Sequence, residues 1–202
     1  MDTFYEFPQN ISASASRRAV VESNRSMMKK RAIFLDRDGV INRKMPEGDY
    51  VKDWSEFIFL PGVFEAFQIL KRKDILTIVI TNQSCVGKGI ISEETLQDMH
   101  HAMQEEIRKH DGALDAIYFC PHEIWQQCAC RKPKPGLILR ALEDFRDKNI
   151  AIDREESFFI GDSESDMLAG EAAGLPTLRI GGSSDRQDAP VRTLLEAVMK
   201  IV

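Results

Sequence analysis

AIFLDRDGVIN, residues 32–42, is the stretch on which the fold turns. An apolar run, Ala32 to Leu35, leads straight into two carboxylates, Asp36 and Asp38, and then Gly39. A carboxylate at the end of a buried strand is costly unless it is paired or meets a cation. Two readings follow: a polar turn that closes a strand, or a metal-assisted nucleophile. Side chains two apart in an extended segment point the same way, so Asp36 and Asp38 can face one site.

Working outward, further apolar runs read as strands: LTIVIT at 76–81, AIYFC at 116–120, SFFIGD at 157–162 and PTLRI at 176–180. Nearly continuous apolar runs are the mark of parallel strands covered on both faces. Helical patterns lie between them. Residues 61–73 open on Pro and Gly and end in basic residues. Residues 92–110 have Ser92 as N-cap, Glu93 and Glu94 in the first turn, and Leu96, Met99, Met103 and Ile107 along one face. Residues 135–148, 164–174 and 189–202 complete the set. The alternation predicts an α/β fold, a Rossmann-like open parallel sheet with helices on both faces. Ligands of such sheets bind beyond the carboxyl ends of the strands. There the first strand offers Asp36 and Asp38, the second Thr81, Asn82, Gln83 and Ser84, and the fourth Gly161, Asp162 and then Asp166. Convergent polar ends, two of them anionic, call for a cation. Oxygen ligands from separate strands suit magnesium paired with a substrate phosphate.

With 202 residues the chain supports one well-buried domain, 31–202, after an extension at 1–30 that reads as flexible. The net charge of -5 argues against a broad nucleic-acid-binding face. No apolar run reaches the length of a membrane span, and Asp2, Glu6 and Glu22 disfavour a targeting segment. These features predict a cytoplasmic, monomeric protein whose four cysteines stay reduced.

FLDRDGVIN, ITNQS, CRKPKPG and FFIGDSESDM resemble, in order and in the right strand contexts, the four motifs of the haloacid-dehalogenase-like phosphatases. The resemblance implies that Asp36 is the nucleophile that becomes an aspartyl-phosphate. It implies that Asp38 is the general acid and base, with its carbonyl on the magnesium, and that Asp162 is a magnesium carboxylate. Thr81 would hold phosphate oxygens, and Lys132 would compensate charge on the transferring group. Asp166 would bind metal through water or brace Lys132. Taken alone, Asp166 reads as a first-turn carboxylate at a positive helix end, and Thr81 as a strand-end cap.

Residues 120–136, CPHEIWQQCACRKPKPG, place Cys120, His122, Cys128 and Cys130 within eleven residues. Three sulfurs and one imidazole suit tetrahedral zinc, and four protein ligands leave no place for a catalytic water, which makes the site structural. The competing readings are a disulfide, disfavoured by compartment, and incidental cysteines. The next residues, Arg131 and Lys132, would be aimed by such a knot.

This loop, with DRDGVIN and TNQS, resembles the nearly capless heptose-bisphosphate and histidinol-phosphate phosphatases. The gap between the first two motifs is too short for a cap domain, so recognition falls to residues 43–57, the cysteine loop and SCVGKG. Asn82, Arg131 and Lys88 are the substrate-binding candidates. Cys85 stands where this branch has Gly, and Lys88 where Arg is common. A bis-anionic sugar needs cations, and Arg131, Lys88 and Arg43 are available. A cationic imidazole substrate would need Asp49, Asp53, Trp54 or Trp125 instead. A catalytically dead binding module is disfavoured because Asp36 and Asp38 are both intact.

Overall fold

The computed structural model describes residues 4–5, 27–181 and 191–202. Its strands are β1 (Phe4–Tyr5), β2 (Met28–Lys30), β3 (Ala32–Leu35), β4 (Leu76–Asn82), β5 (Ala116–Cys120), β6 (Ile150–Ile152), β7 (Phe158–Gly161) and β8 (Thr177–Arg179). Its helices are α1 (Val63–Arg72), α2 (Ser84–Gly87), α3 (Glu93–Lys109), α4 (Gly136–Asp147), α5 (Glu164–Ala172) and α6 (Leu194–Ile201). The main sheet runs β1-β5-β4-β3-β7-β8, parallel throughout except for β1, which pairs antiparallel on the edge beside β5.

Alternation along each strand divides the core in two. Ile33, Leu35 and Val79 pack with Phe67 and Leu70 of α1, Met99, Met103 and Ile107 of α3, and Leu194 and Val198 of α6. Ala32, Phe34, Ile78 and Ile80 face the other way, onto Leu137, Ile138 and Phe145 of α4 and Ala169 of α5. Both sheet faces are therefore covered, which is why these strands are apolar at successive positions rather than at alternate ones.

The five strands expected from sequence are β3, β4, β5, β7 and β8, and they form the parallel part of the sheet. The expected final helix begins at Leu194; residues 189–190 of that segment lie outside the described residues. Most of the extension at 1–30 lies there too. Within it, Met28–Lys30 form β2, paired in parallel with β6. Two ion pairs pin this strand, Lys29 to Asp153 and Lys30 to Asp74, each at 2.6 Å. Neither β2 nor β6 is longer than three residues, too short for a period to register in sequence.

β3 is central, with β4 on one side and β7 on the other. That is where the strand order reverses, and its carboxyl end opens into the crevice where such sheets bind ligands. Between β3 and α1 the chain runs through a loop with one short 3-10 turn, Trp54–Glu56, and no inserted domain.

Candidate active site

A cleft of about 320 Å³ lies at the carboxyl ends of β3, β4 and β7. Asp36, Asp38, Thr81, Asn82, Arg131, Lys132 and Asp166 line it, together with the loop from Lys44 to Val51.

Asp36 follows β3 directly, its amide donating to the Ile160 carbonyl at 3.0 Å. Gly39 has φ +92°, and a Cβ there would stand 2.5 Å from Asp162 Oδ2. Only glycine lets the loop after Asp36 lie against Asp162. On the far side Gly161 plays the same part, since a Cβ there would overlap Asp166. The carboxylates of Asp36, Asp162 and Asp166 accordingly converge, each offering an oxygen within 4.8 Å of the others. Asp162 Oδ1 is buried without a hydrogen-bond partner among the described residues. Lys44 donates to its Oδ2 at 2.7 Å from the cleft loop.

One buried cation, Lys132, serves two of the trio. Lys132 Nζ lies 2.8 Å from Asp36 Oδ1, 2.6 Å from Asp166 Oδ1 and 2.8 Å from the Ile80 carbonyl. Burial works against its charge, but the two carboxylates outweigh it and raise its pKa. Asp36 is pushed up to about 7, first by burial, with Asp166 and Asp38 adding to the effect and Lys132 opposing it. Three converging carboxylates against two ammoniums, the buried Lys132 and the exposed Lys44, are short of positive charge, and Asp162 Oδ1 has no hydrogen-bond partner among the described residues. The donor set is all oxygen and fits a hard divalent cation.

Asp38 stands apart from the trio. Arg37 Nη2 donates to both its oxygens at 3.0 Å, Asn42 Nδ2 to Oδ1 at 2.9 Å, and Gln83 Nε2 to Oδ2 at 2.7 Å. Burial alone would raise its pKa, but these donors, Arg37 foremost, pull it below the usual carboxylate range. Gln83 Nε2 also donates to Thr81 Oγ1 at 2.9 Å, tying the acid to the phosphate-binding candidate. Compared with the set expected from sequence, Asp166 joins the carboxylate cluster and the Asp38 side chain does not. The metal contact that the motif resemblance implies for Asp38 is through its carbonyl, which this arrangement leaves untouched. Asp166 also fulfils its expected helix role, its Oδ2 accepting from the Ser163 amide and hydroxyl at 3.0 and 2.6 Å.

Asn82 grips the peptide of Lys132 from both sides, Oδ1 accepting from the Lys132 amide at 3.1 Å and Nδ2 donating to its carbonyl at 3.2 Å. Lys88 stands at the rim and reaches the cleft through Tyr50, donating to its hydroxyl at 2.9 Å. Cys85 sits buried inside α2, a helical position where a side chain is no strain. Arg37, Asn42 and Tyr50 were not singled out from sequence, and Gln83 was named only as part of the polar end of the second strand. The adjacency of Arg37 to both carboxylates was the available signal.

The cysteine loop leaves the end of β5. Its Sγ–Sγ distances are 3.6 Å for Cys120–Cys128, 3.2 Å for Cys120–Cys130 and 3.3 Å for Cys128–Cys130. His122 Nδ1 lies 3.2 Å from Cys130 Sγ and 3.6 Å from Cys120 Sγ. A disulfide would need about 2.05 Å. Tetrahedral zinc with bonds of about 2.3 Å would set its sulfurs roughly 3.8 Å apart, so the four side chains could hold such an ion with small adjustment. Arg131 follows at once, its guanidinium donating to the His122 carbonyl at 3.1 Å while lining the cleft.

A model of the polynucleotide kinase 3 phosphatase family matches residues 31–179. The chain is 41% identical over 157 residues to the D-glycero-beta-D-manno-heptose-1,7-bisphosphate 7-phosphatase of Vibrio cholerae, spanning 74% of this chain and 80% of that one. With the D-glycero-alpha-D-manno-heptose-1,7-bisphosphate 7-phosphatase of Burkholderia mallei it shares 38% over 180 residues, 86% and 90% of the two chains. This chain belongs to the haloacid-dehalogenase-like phosphatases, in the heptose-bisphosphate phosphatase family. The phosphatase also superposes on the D,D-heptose 1,7-bisphosphate phosphatase of B. bronchiseptica, crystallised with magnesium and phosphate. That match has a TM-score of 0.71 and 29% identity, covering 84% of this chain and 97% of the other. The phosphatase is a phosphoric monoester hydrolase, and the cleft just described is its candidate active site.

Proposed function

We propose that the phosphatase removes the C7 phosphate of D-glycero-D-manno-heptose 1,7-bisphosphate, with magnesium at Asp36, the Asp38 carbonyl and Asp162, and structural zinc at Cys120, His122, Cys128 and Cys130. The observation that carries this reading is the placement of Arg131. One cleft holds the Asp36–Lys132 pair at its floor and a planar guanidinium on its wall. A substrate anionic at both ends fits such a cleft, because the fork of arginine matches a phosphate. The names of the relatives from V. cholerae and B. mallei support the same sugar.

In this mechanism Asp36 attacks phosphorus and forms the aspartyl-phosphate, splitting hydrolysis into two displacements. Asp36, the Asp38 carbonyl and Asp162 would hold magnesium, which would supply charge neutralisation for an anionic nucleophile meeting a phosphate. Thr81 and Lys132 hold those oxygens. Asp38 gives the leaving alkoxide its proton and then takes one from the attacking water. Its donors, Arg37, Asn42 and Gln83, stabilise the ionised form. They leave Asp38 ionised for the second step; for the first it takes up a proton from solvent before the ester is cleaved, and the same donors then make it the stronger acid.

Replacing Arg131 with Ala is expected to lower kcat/KM on the bisphosphate by roughly ten- to a hundredfold, the worth of about 1.5–3 kcal/mol for a charge-assisted contact. A sugar monophosphate should lose little. Equal losses on both would assign Arg131 to the catalytic phosphate or to the loop. Faster turnover of histidinol phosphate than of either heptose anomer by the unaltered enzyme would overturn the substrate.

Magnesium affinity should depend on pH. The Asp36 carboxyl, pushed up to about 7, must lose its proton to become a ligand. Below that pH binding competes with the proton, so affinity should fall by about tenfold per pH unit and level off above it. Calorimetric titration in buffers of differing ionisation heat would count the proton released. Affinity that stays flat across this range would show that Asp36 is ionised before the metal arrives.

A further inference from the structure

α3 presents an apolar stripe to the core, Leu96, Met99, Met103 and Ile107, interrupted by His100. Packing alone would be served by another aliphatic side chain. His100 is 2% exposed, and its Nε2 lies 3.2 Å from Arg37 Nη1. A guanidinium nitrogen only donates, so Nε2 is the acceptor and the ring is neutral, its proton on Nδ1. Burial, and after it the charge of Arg37, hold the imidazole well below its ordinary pKa.

Arg37 is itself 1% exposed. Its Nη2 reaches both oxygens of Asp38, its Nη1 reaches His100, and its Nε has no partner among the described residues. Phe57 lies against its face, 5.8 Å from the ring centroid to Cζ. His100 is therefore the contact that fixes the rotation of the fork about its stem. Its ring stands edge-on to Phe119 of β5, at 5.7 Å between centroids, which fixes the imidazole in turn.

We propose that His100 is a positioning residue for proton transfer: by accepting from Arg37 it sets the guanidinium fork that aims the Asp38 carboxyl at the leaving-group oxygen. This rests on the acid role proposed above for Asp38, and the two are separable by experiment.

The readout is the dependence of kcat/KM on the leaving group, because kcat/KM covers only the steps up to transfer of the phosphoryl group to Asp36. A sugar alkoxide needs a proton as it departs, whereas 2,4-dinitrophenolate does not. The substrates are the heptose bisphosphate and 2,4-dinitrophenyl phosphate, and the variants are Asp38→Asn, His100→Leu and His100→Gln. Leucine keeps the bulk and removes the acceptor; glutamine keeps an acceptor oxygen. Asp38→Asn should lose activity selectively on the sugar. His100→Leu should follow it, with a loss of about tenfold or more on the sugar, less than about threefold on the aryl ester, and magnesium affinity unchanged. His100→Gln should recover most of the sugar activity.

Equal losses on both substrates in His100→Leu would overturn the proposal, as would a glutamine variant no better than the leucine one. A leucine variant that does not fold would also overturn it, by making the histidine a packing residue. If Asp38→Asn loses both activities equally, the acid role fails and this proposal fails with it. If Asp38→Asn is selective and His100→Leu is not, only the role of His100 falls.

Discussion

Asp36→Asn is expected to fold and to turn over at least about four orders of magnitude more slowly than the unaltered phosphatase. The amide is neutral and a far weaker nucleophile than a carboxylate, so the covalent route closes. The fold should survive for reasons local to the site. The asparagine Oδ1 can still accept from Lys132, and Lys132 keeps Asp166 as its ion partner at 2.6 Å. The substitution also removes a carboxyl whose burial opposes ionisation. Melting should therefore move by only a few degrees. Phosphate release and acid-quench trapping of phosphoenzyme check both halves. Near-normal turnover, or trapped phosphoenzyme in the variant, would place the nucleophile elsewhere.

Cys128→Ser is expected to abolish zinc binding, measured as one zinc per chain in the unaltered protein and none in the variant. Cys120, Cys128 and Cys130 crowd their sulfurs within 3.6 Å of one another. Burial raises the pKa of Cys120 and Cys130. Cys128 is lowered instead: burial opposes this, but the Cys130 thiol and the Arg131 amide donate to its sulfur. Such a trio of thiolates is tolerable only around a dication, and ligand loss therefore costs folding free energy. A cost of about 3 kcal/mol would lower the melting temperature by roughly 10 °C in a chain of this size. The bisphosphate should suffer more than a monophosphate, because Arg131 rests on the His122 carbonyl inside the same loop. Metal analysis that finds no zinc in the unaltered protein, purified without chelator, would sink this prediction.

The parallel sheet was legible because strands buried on both faces must be apolar at successive positions, and β3, β4 and β7 are. Asp36, Thr81, Lys132 and Asp162 were legible from their motifs and from the rule that strand carboxyl ends share one edge. The support around Asp38 was not. Arg37 looks like a solvated charge in sequence, yet it is buried and meets His100 across 63 residues of chain. Such a contact depends on how α3 packs on the sheet, and no local period encodes it. Asp166 was ambiguous because a helix-capping carboxylate and a partner for Lys132 require the same residue type. Here one side chain does both, with one oxygen for each task.

The central position of β3 has a consequence for the order in which the protein assembles. Its neighbours come from distant parts of the chain: Ile33 pairs with Thr77 on one side and with Phe158 on the other. Contacts between distant segments are paid for in loop-closure entropy before they return anything, and parallel pairing of this kind is slow. The β3–β4 pair spans less chain than the β3–β7 pair, so it has the smaller closure cost. Asp162 and Asp166 arrive only with β7 and the helix after it. A chain released before those residues would already carry Asp36 and its cysteine loop, and would lack two of the three converging carboxylates. If the proposed magnesium site is right, recovery of phosphatase activity during refolding is expected to time the docking of the last central strand, not the collapse that precedes it.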